Sequence, residues 1–114
     1  MPDDDQHLDG LDNPGHVDAV VVPPTGAIEL VLWHPEPWDG SEHRQLLLQE
    51  KINRYLEHVV DGELAAEHPE ARGRSWVVVI TCDDEPDPRS ADYLRHAHRE
   101  LASSGGGVVV RVTA

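Results

Sequence analysis

Cysteine is nearly absent from this sequence: Cys82 stands alone in 114 residues. No intrachain disulfide can form, and a small secreted domain would usually carry several, so a reducing cytoplasm is the expected location. Phenylalanine is missing, and lysine occurs once against eight arginines, the mark of a GC-rich or salt-adapted genome rather than of a function. Positive charge is absent from residues 1–43, which hold ten acidic residues and no Lys or Arg. Long apolar runs are absent as well. Val77 to Ile80 is strand-sized, and nothing approaches the roughly 18 apolar residues of a transmembrane helix. The opening MPDDDQHLDGLDNPG has neither a basic region nor an apolar core, so it does not read as a signal peptide.

The net charge is −13. Neutralising phosphates needs a basic face, which argues against nucleic acid and equally against an anionic membrane. A basic protein partner would be attracted, although acidity also serves simple solubility. Oligomeric state is left open. The length suits one domain. Residues 1–15, acidic and without apolar periodicity, are expected to be a disordered tail, and 16–114 a single α/β domain.

Periodicity places the elements. Val17–Val22 reads as a strand, Pro23-Pro24-Thr25-Gly26 as a turn, and Ala27–Trp33 as a second strand with period two. So short a link predicts an antiparallel hairpin. A helix is expected from Ser41, with Asp39 as a candidate cap and Leu48, Ile52, Leu56 and Val59 as its core stripe. Gly62 suits a left-handed stop, and Glu63–Glu67 a further turn. Ser75–Cys82, almost wholly apolar, reads as a central strand or one covered on both faces. A second helix begins near Pro88, capped by Asp87, with Leu94, Ala97, His98 and Leu101 inward. Gly105-Gly106-Gly107 stops it, and Val108–Thr113 is the last strand. The expected fold is α+β, β-β-α-β-α-β, a mixed four-stranded sheet with two helices packed on it. Whether the helices share one face stays open.

Trp38, the helix HRQLLLQEKINRYL (His43–Leu56), Gly62-Glu63-Leu64, Pro69, the strand near Val77 and Pro86 together resemble an uncharacterised bacterial family of small proteins, over residues 17–104. The resemblance implies this fold outline and assigns no activity, cofactor or catalytic residue.

The eight histidines invite a metal reading, yet no His-x-x-x-His falls on a predicted helix. His96 and His98 would point about 200° apart. Surface histidines with a part-buried His98 are the plainer account, and no metal or cofactor is assigned. A better candidate follows from topology. Were strands two and three parallel, their C-terminal ends would share the edge where open α/β sheets bind ligands. That edge would collect His34, Trp38, Asp39 and His43 from one loop and Asp83, Asp84 and Glu85 from the other. The same residues can equally be helix caps and solvated loop. Cys82 is a poor nucleophile, because the acids that follow it raise a thiol pKa. Asn53 is expected to bond across to the sheet or a loop. With no catalytic set identified, the function stays unknown. The leading expectation is a non-enzymatic protein-binding or accessory module, in its sharper form an acidic immunity or antitoxin-like protein. The alternative is a small metal-binding protein or enzyme using the strand-end cluster.

Overall fold

The computed structural model describes residues 18–34 and 36–113. The segment 1–15, expected to be disordered, lies outside the described residues, as does Val17 at the expected start of the first strand. The elements run β1 (Ala19–Val21), β2 (Ile28–His34), α1 (Glu42–Val60), the short α2 (Glu63–Glu67), a 3-10 turn (Pro69–Ala71), β3 (Trp76–Cys82), α3 (Pro88–Ala102) and β4 (Val108–Val112). The fold is α+β, and the order is β-β-α-β-α-β with α2 as an extra turn.

The sheet order is β1-β2-β3-β4. β1 pairs antiparallel with β2, while β2, β3 and β4 are parallel. Both crossovers therefore step in the same direction. Right-handed connections then put α1 and α3 on one face of the sheet, which settles the point that periodicity left open. Alternation supplies the inner surface. Ile28, Leu30 and Leu32 of β2 and Trp76, Val78 and Ile80 of β3 are buried there against Leu48, Ile52 and Tyr55 of α1 and Leu94, Ala97 and Leu101 of α3. The other face carries Val31, Trp33, Val77, Val79 and Val109, and an Arg111–Glu29 ion pair (3.7 Å) spans it from β4 to β2. β3 is central, which explains its nearly unbroken apolar run.

Three local expectations are corrected. The α1 stripe is rotated: Tyr55, Lys51 and His58 are buried beside Leu48 and Ile52, while Leu56 and Val59 pack half-buried at its border. Apolar spacing could not find Lys51, because a buried lysine declares itself only through its partner. His98 is exposed, because α3 turns Ser90, Leu94, Ala97 and Leu101 inward instead. Asn53 is exposed, and Tyr55 two positions on bonds across to the sheet. The hairpin turn is held from outside the hairpin. Arg74 donates from Nη2 to the carbonyls of Pro23 (2.8 Å) and Gly26 (2.7 Å), and Gly26 takes φ +90°, a conformation that favours glycine.

Candidate functional site

β2 and β3 end side by side, with His34 opposite Cys82, and α1 and α3 start from the same edge. The loops there are tied together by their caps. Ser41, not Asp39, caps α1: its Oγ accepts the Arg44 N–H (3.1 Å), while Asp39 Oδ1 accepts the Ser41 N–H (2.9 Å). That backbone bond holds the Asp39 carboxyl below its ordinary pKa. Asp87 caps α3, accepting the N–H of Arg89 (3.1 Å) and Ser90 (3.2 Å) and the Ser90 hydroxyl (2.6 Å). The Ser90 hydroxyl bond is the largest influence lowering its pKa. Gly40, at φ +68°, lies so near that a Cβ there would sit 3.1 Å from Asp87 Oδ2. Trp38 Nε1 donates to the Asp84 carbonyl (3.0 Å), so the two predicted loops do meet.

His34 sits beneath this junction, 1 % exposed. Its ring stacks on Trp38 with centroids 4.0 Å apart and planes 7° from parallel. Neither ring nitrogen has a hydrogen-bond partner among the described residues. The ring lines a cavity of about 10 Å³ with Trp38, Asp39, Arg44 and Ser90, room for about one water. Burial pushes the imidazole pKa down. The sign of the pH effect follows. The unfolded chain takes up a proton near pH 6.5 and the folded chain does not, so the stability His34 contributes is complete above about pH 6.5. It is lost as pH falls through the lowered folded pKa. His34→Phe keeps the stack and removes the titration. Urea unfolding at stepped pH should show the variant losing less stability than the native chain between pH 7 and 5, with no penalty at pH 7. A cost above about 2 kcal/mol at pH 7 would mean that the ring nitrogens are in use.

The seven predicted residues are thus divided. His34 and Trp38 come together, Asp39 joins through the loop backbone, and Asp84 joins through its carbonyl. His43, Asp83, Asp84 and Glu85 are exposed, and Glu85 faces a different surface. Arg44 and Ser90 were missed. Ser90 carries a signal, the Asp-x-x-Ser capping spacing before a helix. Among the described residues no group of three or more His, Cys, Asp and Glu side chains is placed to hold a metal ion. Cys82 is buried, and its thiol, 3.8 Å from the Arg111 carbonyl, is pushed up in pKa first by burial and then by Asp83 and Asp84.

A second surface lies at the sheet edge. Val78 N–H donates to the Gly107 carbonyl (2.8 Å) and Thr113 N–H to the Cys82 carbonyl (2.9 Å). The odd-numbered residues of β4 therefore face β3, and Val108, Val110 and Val112 turn their backbone groups outward. The Val108 N–H is taken by His98 Nδ1 (2.9 Å), which is why His98 is conformationally placed yet exposed. The groups of Val110 and Val112 meet no described partner. Beside them an open groove of about 590 Å³ runs between β4 and α3, floored by Ala91, Leu94, Val108, Val110 and Val112. Sequence could not show it, because an edge is defined only by the sheet order.

Family of unknown function (DUF6572) matches the chain over residues 10–114, wider at both ends than the 17–104 of the resemblance. No curated protein and no solved structure matches. No helix among the described residues is long and apolar enough to cross a membrane.

Proposed function

Because the chain belongs to the family of unknown function DUF6572, kinship supplies no activity, and we propose from its surfaces a non-enzymatic protein-binding module that takes an extended partner segment along β4. The observation that carries this reading is the edge itself: outward N–H and C=O groups at Val110 and Val112 that meet no partner among the described residues, beside an apolar groove. Strand addition uses such an edge for affinity and the adjoining pockets for specificity. The strand-end cluster supports chemistry less well. Asp39, Ser41 and Asp87 are engaged in starting two helices, and Cys82 is held as a buried thiol. The net charge of −13 would draw in a basic protein from a distance, as suits an immunity or antitoxin-like role.

Val112→Pro tests the reading, since it removes an N–H that the β3–β4 ladder does not use. Peptides selected from a random display library on the folded chain should shift the amide resonances of Val108–Thr113. Their affinity should fall about tenfold in Val112→Pro while the melting temperature holds. Selected peptides that map elsewhere would sink the proposal. Saturable thermal stabilisation by zinc or magnesium at physiological ionic strength would instead favour the metal-binding alternative.

A further inference from the structure

The groove is not charged like the rest of the molecule. The chain carries −13, yet Arg95 and Arg99 rim the groove from α3, and Glu85 is the acidic residue lining it among the described residues. Their positions along it follow from the topology. α3 runs back against β4, and His98 touches Val108, so Arg99 lies toward the Val108 end with Arg95 one turn along. Glu85 closely follows Cys82, which pairs with Val112, so it marks the opposite end. Arg95 pairs with Asp92 in an exposed contact. Arg99 makes no ion pair among the described residues.

Spacing matters as well as sign. Residues four apart on a helix rise about 6 Å. Alternate residues of an extended strand are about 6.6 Å apart and point the same way. A strand laid against β4 would therefore bring two alternate side chains up to Arg99 and Arg95 in near register. The next alternate side chain would fall over Val112 and Pro86, where the surface is apolar and Glu85 repels an acid.

Resting on the strand-addition reading, we infer that the segment accepted at β4 is locally acidic: carboxylates at two alternate positions toward the Val108 end, followed two residues on by an apolar side chain toward the Val112 end. The partner's body can still be basic, since long-range attraction answers to net charge and contact answers to the groove.

The test uses capped heptapeptides with the intact chain, followed by amide shifts. One has Glu, Glu and Leu at alternate positions among threonines, made in both chain directions. Companions carry Gln or Lys in place of Glu. The Glu peptide in one direction should shift Val108–Val112 and bind about fivefold more tightly than the Gln peptide, in line with two exposed ion pairs. Arg95→Gln and Arg99→Gln, both on the surface, should each remove part of that preference and leave the melting temperature unchanged. Equal binding of Glu and Gln peptides at β4, or preference for Lys, overturns the acidic pattern and leaves strand addition standing. Absence of shifts at β4 with every peptide overturns both. A concentration-dependent dimer abolished by Val112→Pro would make a second copy the occupant. Changed β4 shifts on deleting residues 1–15 would make the chain's own N-terminal segment the occupant. Either result overturns the proposal.

Discussion

Lys51→Met is expected to cost about 3–5 kcal/mol, because it takes the ammonium away from a buried carboxylate. The Asp18 carboxylate is fully buried. One oxygen receives Lys51 Nζ at 2.7 Å and the other receives the Trp33 N–H at 2.9 Å. The Asp18 N–H donates to the Tyr55 hydroxyl (2.9 Å), which itself donates to the Val31 carbonyl (2.6 Å). Burial, the dominant cause, pushes the Tyr55 pKa up, so the hydroxyl stays protonated and keeps its donor at any ordinary pH. This network fixes the entry to β1, a strand of only three residues, to both β2 and α1. The double variant Asp18→Asn with Lys51→Met should be markedly more stable than Lys51→Met alone, since a neutral amide can still accept the Trp33 N–H. Urea midpoints at constant m-value are the measurement. A loss under about 1 kcal/mol in Lys51→Met would mean that the carboxylate is not enclosed.

Gly106→Ala should be comparably severe, at about 3 kcal/mol. A Cβ at Gly106 would fall 2.4 Å from Trp76 Cζ2 and 2.5 Å from its neighbours, well inside van der Waals contact. The ring has little room to withdraw: it is 4 % exposed in the core, and its Nε1 donates to the Ser104 carbonyl (3.1 Å). The two flanking glycines set a scale. Gly105 has φ +81° and open space around it, so Gly105→Ala should cost about 1 kcal/mol of backbone strain. At Gly107 the new methyl would meet only the exposed His98 ring, which can swing aside, at the loss of its bond to Val108. Thermal melts of the three variants should rank Gly106→Ala lowest by several degrees. Equal effects would reduce the triplet to the helix stop that its composition suggests.

Elements were legible from sequence where the signal is local. Period two in β2, the apolar run of β3, the Asp87-Pro88 start of α3 and the left-handed Gly62 (φ +86°) each follow from backbone sterics or from one amphipathic face. The meeting of the two strand-end loops was legible too, because a parallel βαβ unit must return its strand ends to one edge. Burial of His34, Lys51 and Asp18 was not. Each is polar, and what makes it tolerable underground is a stacked Trp38 or a partner 33 residues away, neither of which alters the pattern around it.

The kinds of element, their order, the charge and the class of fold are all written into local sequence, because propensity, capping and alternation act between residues a few positions apart. Which strand stands at the edge depends on how the elements assemble in three dimensions. β4 is nearly as apolar as β3, and the one charge in VVVRV, Arg111, lies on the outer face where it pairs with Glu29, so it does not by itself mark an edge. The step of each right-handed crossover past its predecessor placed β4 last. That placement left Val110 and Val112 with backbone groups that meet no partner among the described residues, beside a groove rimmed by arginine.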